Sequence, residues 1–181
     1  MKVKKLVALA LPIALLSGVV GCSDNKTTDK KVESKVETKS DKKEVTELSA
    51  EEYKQELALG MKDISERSLK LNSIINDRSK PISEVAKEYR KEAEMFIVTA
   101  NKVAELRPPS KFKESHKVMM EAMDLARQGT NKCQGTLDNA DPSLPSVDKG
   151  MFKTANNMLS QASSKINEAH EMMKKVDSSI Q

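Results

Sequence analysis

The sequence predicts an all-α protein: an up-down-up-down four-helix bundle that follows a disordered, charged tether. Three observations support this prediction. Four segments between residues 48 and 181 carry apolar residues at the three- and four-residue spacing of an amphipathic helix. Polar or proline-containing breaks separate the segments, and none shows the alternation of apolar and polar residues that is typical of a strand. Long amphipathic helices with short connections favour an antiparallel bundle.

The first helix is predicted to begin at Ser49. Ser49 and Glu52 have the spacing of a capping box, in which each side chain accepts a hydrogen bond from the other residue's backbone amide. Leu48 and Tyr53 occupy the two positions of a hydrophobic staple. The predicted apolar face consists of Tyr53, Leu57, Met61, Ile64, Leu71 and Ile75.

The second helix follows the polar break at residues 76–80, and Pro81 is expected in its first turn. Pro108 and Pro109 end this helix because proline cannot donate the backbone hydrogen bond. Ser110 is expected to cap the next helix. The apolar face of the second helix consists of Ile82, Val85, Tyr89, Ala93, Phe96, Ala100 and Val103.

The last two helices have apolar faces with strictly alternating steps of four and three residues. Gly129 and Gly135 are expected to weaken the second half of the third helix, since glycine costs up to about 1 kcal/mol relative to alanine. A proline-containing loop is predicted at residues 139–146. The third face consists of Phe112, His116, Met119, Met123, Ala126, Thr130, Cys133 and Leu137. The fourth consists of Phe152, Ala155, Leu159, Ala162, Ile166, Ala169, Met173, Val176 and Ile180.

The amino-terminal segment, residues 1–21, has the pattern of an export signal. Three lysines precede the apolar run 6–20, and charged residues follow that run at once. A membrane-spanning helix needs about 20 apolar residues. This run is shorter, so a cleaved signal is favoured over a membrane span.

The end of this run, Val19-Val20-Gly21-Cys22, resembles the lipobox of bacterial lipoproteins. The resemblance implies that Cys22 is lipidated, becomes the first residue of the mature protein and anchors it to the extracytoplasmic face of the cell membrane. Two or more acyl chains, such as palmitate, hold a protein far more firmly than one. The lysine-rich stretch that follows is similar to the tethers of Gram-positive lipoproteins.

Residues 22–47 are predicted to be a disordered tether, with a helical domain at residues 48–181. Seven lysines and seven acidic residues are interspersed between residues 23 and 47, and valines are the only sizeable apolar residues. Such a segment cannot bury enough apolar surface to offset its chain entropy. A flexible coil of this length spans roughly 25–30 Å.

Composition argues against nucleic acid as a partner. The net charge of +4 largely reflects the three lysines of the predicted signal. Two tyrosines, three phenylalanines and no tryptophan offer little for base stacking. Because Cys22 is expected to be lipidated, Cys133 is left unpaired within the chain, and we expect it to be buried, reduced and inert.

The segment Leu106-Arg107-Pro108-Pro109, followed seven residues later by His116, resembles small secreted or lipid-anchored bacterial helical bundles. The resemblance covers about thirty residues. Those bundles mostly lack an assigned activity, so it implies fold and location only.

No catalytic or cofactor motif is found, so we expect neither an enzyme nor a bound cofactor. Lys113 and Asn167 stand three residues before the two histidines, where a di-iron helical bundle would carry glutamates. A protein-interaction module of the envelope, acting for example in surface interference or exclusion, is the favoured function.

The alternative is binding of a soft metal ion such as Cu(I). His116 and His170 are expected at similar height if the last two helices are antiparallel, and methionines lie near both histidines. Thioether and imidazole ligands suit copper. The candidate ligands are His116, His170, Met119 and Met123.

Replacing Cys22 by serine tests the anchor. Without the thiol that accepts the lipid, the protein is expected in the medium or as an uncleaved precursor instead of in the membrane fraction. Mass spectrometry and detergent partitioning measure the change. An unchanged mature mass and unchanged partitioning would contradict the lipoprotein interpretation.

Overall fold

A computed structural model describes residues 47–142, 144 and 149–178 of the 181-residue chain. Within them are four long helices, two short 3₁₀ turns (Ser110–Phe112 and Lys149–Phe152) and no strand, which confirms the all-α bundle. The predicted signal peptide (1–21) lies outside the described residues. So do Cys22, the predicted tether up to residue 46, and Ile180. The helices are α1 (Ala50–Asn76), α2 (Ile82–Ala104), α3 (Lys113–Asp138) and α4 (Lys153–Ser178).

Contacts at one end of the bundle establish the up-down-up-down order of the helices. Tyr53, in the first turn of α1, is hydrogen-bonded to His116 near the start of α3 at 3.0 Å. His116 also reaches the carbonyl of Ala104, the last residue of α2. Lys54 of α1 pairs with Asp177, one residue before the end of α4, at 2.6 Å. The starts of α1 and α3 therefore meet the ends of α2 and α4.

The core is built from the four apolar faces that the sequence predicts. Every predicted face residue of α1, α2 and α3 is buried, and so are those of the fourth face as far as Ala169. Met173 and Val176 are only half-buried, because the last turns of α4 are less covered. All five aromatic rings of the chain lie in the core. None of the described helices is long and apolar enough to cross a membrane.

The start of α1 agrees with the prediction, and the starts of α2 and α3 differ from it. The capping box is present: Ser49 and Glu52 exchange bonds of 3.0 and 3.3 Å. Pro81 precedes the first helical residue of α2 instead of lying within the first turn. The prediction that Ser110 caps α3 is wrong. Ser110 begins a 3₁₀ turn instead, and the α-helix begins only at Lys113.

The two glycines of α3 have different surroundings, which the sequence alone does not distinguish. The helix continues through both of them. A Cβ atom on Gly129 would lie 2.8 Å from Leu159 Cγ and 3.2 Å from the Ala155 carbonyl oxygen. Gly135 would place its Cβ in open space. Gly129 therefore allows α4 to approach α3 closely, and the expectation that both glycines simply weaken α3 is wrong for Gly129.

The approach of α4 to α1 is much wider than its approach to α3. Within the described residues, no Cα atom of α1 lies within 8 Å of one of α4. These two helices are instead joined near the bundle end by the long side chain of Lys54 and the carboxylate of Asp177. The interface between α1 and α4 is thus the most open between neighbouring helices.

The glycines of α3 provide a matched pair of substitutions. Gly135→Ala is expected to raise the free energy of unfolding by up to about 1 kcal/mol, because alanine favours the helix and meets no obstacle. Gly129→Ala gains the same helix propensity but forces Leu159 and the α4 backbone away, and overpacking costs about 1–3 kcal/mol. We therefore expect a net loss of stability in urea unfolding. Equal stabilisation by both substitutions would contradict the close approach.

Candidate functional site

The side chain of His116 is held by hydrogen bonds at both ring nitrogens. Nδ1 lies 3.0 Å from the Tyr53 hydroxyl, and Nε2 lies 3.3 Å from the carbonyl oxygen of Ala104. A carbonyl oxygen can only accept, so Nε2 carries the proton and donates. Nδ1 of the neutral ring is then the acceptor, and the Tyr53 hydroxyl donates to it. The imidazole thus joins the starts of α1 and α3 to the end of α2.

A cluster of rings and charges surrounds this histidine, and we name it the junction cluster: Tyr53, Lys54, Lys111, Phe112, His116 and Asp177. Tyr53 stacks on Phe112 with ring centroids 5.6 Å apart, and the His116 ring meets Tyr53 edge-on at 5.7 Å. The ammonium groups of Lys54 and Lys111 lie 5.7 and 4.8 Å from the Phe112 centroid. Both lysines also pair with Asp177 of α4. The cluster therefore links all four helices.

Burial fixes the protonation states inside the junction cluster. It lowers the pKa of His116 from its ordinary 6.5, although the hydrogen bond to the Ala104 carbonyl acts in the opposite direction. Burial also raises the pKa of Tyr53 to about 12. At the surface, the hydrogen bond from Lys54 lowers the pKa of Asp177. At neutral pH the histidine and tyrosine are uncharged, and the outer lysines and aspartate are charged.

Of the four candidate metal ligands, His116 has both ring nitrogens engaged in hydrogen bonds. A metal ion needs the lone pair of a neutral imidazole nitrogen, and the only one on His116 accepts the Tyr53 hydrogen bond. Met119 and Met123 are buried in the apolar core, and His170 is half-buried on α4. Among the described residues, no three His, Cys, Asp or Glu side chains are grouped to hold a metal ion. The geometry gives the copper hypothesis no support.

Cys133 is buried, as the sequence predicts, and its thiol is free. Its thiol is hydrogen-bonded to the side chain of Tyr89, which is also buried. Burial raises the pKa of the Cys133 thiol and places the pKa of Tyr89 well above its ordinary value. A neutral, enclosed thiol is a poor nucleophile.

A polar network between α1 and α2 was not predicted. Thr99 donates to Asp63 at 2.9 Å, and Arg67 pairs with Glu92 at 3.1 Å and with Asp63 at 3.3 Å. The i,i+4 spacing of Asp63 and Arg67 is visible in the sequence. The partners on α2 are not, because they lie 25 and 36 residues away. This network fixes α1 against α2 along their outer edge.

Comparison of the chain with protein-family models, with curated protein sequences and with solved structures gives no match. The junction cluster holds the helices together, and its histidine is fully engaged in that role. Outside the junction cluster, the features that bear on function are exposed apolar side chains and a cavity in the core.

The junction cluster predicts a specific dependence of stability on pH. Because the pKa of His116 is lower in the folded than in the unfolded chain, the unfolded state binds more protons between these two values. The contribution of His116 to the free energy of unfolding is therefore fully present above about pH 6.5. It is lost as the pH falls towards the pKa of His116 in the folded protein.

Thermal unfolding at pH 7.5 and 5.5 measures this effect, with His116→Gln as the control. Glutamine keeps a donor and an acceptor but does not titrate. The wild type is expected to lose more stability on acidification than the variant, since the surface carboxylates contribute equally to both. Equal losses would show that His116 does not titrate as described.

Proposed function

We propose that the chain is a lipid-anchored, extracytoplasmic interaction protein whose helical bundle binds a protein partner at the cell envelope. The lipobox-like Val19-Val20-Gly21-Cys22 and the charged stretch after it support the location. Surface exclusion, in which an anchored protein obstructs incoming machinery, is one role of this kind. A bundle joined to its anchor by the predicted tether would suit such a role, because a chain of that composition lets the bundle search the space near the membrane.

The observation that carries this proposal is the uneven distribution of exposed apolar side chains. Four of the six large apolar side chains that are exposed among the described residues belong to α1 and α2. On α4, which is described in full, there is none. We name this set the α1/α2 outer set: Leu59 (63% exposed), Leu69 (59%), Met95 (36%) and Val98 (53%).

The polar network between α1 and α2 favours binding by a preformed surface. Glu92 is buried and paired with Arg67, and Thr99 is bonded to Asp63, so α1 and α2 hold a fixed spacing. Apolar side chains on a rigid frame lose little conformational freedom on association. The free energy of burying them is then available for binding.

The chemistry of the surface favours a protein over a sugar or a nucleic acid. Sugar rings and bases are commonly bound by stacking on aromatic side chains, and all five aromatic rings of this chain are in the core. The exposed charges are mixed, with many paired within the bundle, such as Lys165 with Glu121 and Lys80 with Glu88. A phosphate backbone would instead require a concentrated basic surface.

Charge placed in the outer set tests the proposal. The variants Leu59→Glu and Val98→Glu are expected to weaken partner binding by about tenfold or more each. Burying such a side chain contributes about 1.5–3 kcal/mol, and 1.4 kcal/mol corresponds to a factor of ten. Because both side chains are exposed in the free protein, the thermal unfolding temperature should stay close to that of the wild type.

The matched control is Ser160→Glu, which adds the same charge to the exposed face of α4. Immobilised bundle, residues 48–181, is incubated with solubilised envelope, and retained proteins are quantified by mass spectrometry. A partner should be retained by wild type and Ser160→Glu and lost from both outer-set variants. A retained set that is identical for all four proteins would contradict the proposed surface.

A further inference from the structure

A small cavity lies within the core between all four helices, near the end of the bundle where α1 ends and α4 begins. Its volume is about 10 Å³, measured as space for the centre of a water molecule. Phe96 of α2 and Leu159 of α4 form part of its apolar wall. Ser68 of α1 and Thr130 of α3 also line it.

Both hydroxyls are deeply buried and have no hydrogen-bond partner among the described residues. Ser68 is 3% exposed and Thr130 is 1% exposed. Neither Ser68 Oγ nor Thr130 Oγ1 is hydrogen-bonded, although a helical hydroxyl can often reach the carbonyl four residues earlier. Thr136 and Ser164 make that bond in this structure. A buried polar group without a partner is costly, so these two require a further ligand.

The size of the cavity limits what this ligand is. Roughly 10–15 Å³ of such space is what one water molecule needs, and a buried water is held by two to four polar groups. Ser68 and Thr130 both border a space for one molecule. Any molecule in it is therefore within reach of α1 and α3 together.

We propose that this cavity is the binding site of a single water molecule that is hydrogen-bonded by Ser68 and Thr130 and thereby joins α1 to α3. Within the described residues, no Cα atom of α1 lies within 8 Å of one of α3. At the other end of the bundle the same two helices are joined directly by the Tyr53–His116 hydrogen bond. The water is the corresponding link at the opposite end, where the described side chains of α1 and α3 form no direct hydrogen bond with each other.

The water exchanges with solvent between α1 and α4. Of the residues that line the cavity, only Asn72 of α1 and Asn156 of α4 are half-buried, and the others are buried. The opening therefore lies at the interface whose helices are farthest apart. Two amide side chains at this opening give a passing water further hydrogen-bonding partners.

A double-mutant cycle distinguishes a bridging water from a dry cavity. Thr130→Val keeps the shape and nearly the helix propensity of threonine but removes the hydroxyl. Ser68→Ala removes the other hydroxyl. If the water bridges them, each substitution lowers the unfolding temperature by about 2–5 °C. The double variant loses clearly less than the sum, because either substitution alone releases the water.

The matched control is Ser115→Ala. Ser115 is as buried as Ser68, but it donates to the Phe112 carbonyl near the junction cluster. Its effect should add to that of Thr130→Val without coupling. Thr130→Ser, which keeps the hydroxyl, should retain the coupling to Ser68.

Two NMR measurements complete the test. Wild-type protein should show a cross-relaxation peak between water and the Thr130 methyl group. Amide hydrogen exchange of residues 68–76, on α1, should become faster in Thr130→Val although the substitution is on α3. Additive effects, an unchanged or higher unfolding temperature in the single variants, or the absence of the water peak would each show that the cavity is dry and overturn the proposal.

Discussion

The hydrogen bonds of His116 are the interaction on which the arrangement of the helices depends. The last carbonyls of a helix have no partner within it, and Nε2 supplies one for Ala104 at the end of α2. Nδ1 accepts a hydrogen bond from the Tyr53 hydroxyl, which fixes the start of α1 in the same place. Burying a neutral imidazole with both nitrogens satisfied avoids the large cost of burying a charge. The His116 side chain thus joins three helices. The two lysines that lie over the Phe112 ring connect α4 to them through ion pairs with Asp177.

Three of the four interfaces between neighbouring helices differ in chemistry, and this gives the bundle its asymmetry. The approach of α4 to α3 depends on Gly129, where the absence of a side chain brings two backbones together. The α1–α2 contact is reinforced by a polar network around Glu92 and Arg67. The α1–α4 interface has neither feature, and the cavity opens there. The same core therefore holds a closely joined pair, α1 and α2, that carries the outer set, and a wider interface between α1 and α4.

Periodicity predicts the helices and nearly the whole core, because an amphipathic helix has one way to bury its face. The cap at Ser49 can also be predicted from the sequence, because both of its partners lie within four residues of each other. The errors arise where distant residues decide the outcome. Gly129 appeared to be a weak helix position because Leu159, which packs on it, is thirty residues away. The hydrogen bond from Tyr53 to His116 is likewise beyond local sequence reasoning, because Tyr53 lies 63 residues earlier in the chain.

All five aromatic rings lie in the core, so none of them is on the surface to contact a partner. Interface residues that contribute most to affinity are usually tryptophan, tyrosine or arginine, and this surface offers mainly aliphatic side chains such as Leu59 and Val98. Each contributes modestly, so the isolated bundle is expected to bind its partner weakly. A lipid anchor at Cys22 and a tether of roughly 25–30 Å would confine bundle and partner to a thin layer at the membrane. High effective concentration then offsets weak contacts. In the proposed function, anchor, tether and an aliphatic surface thus form one consistent design.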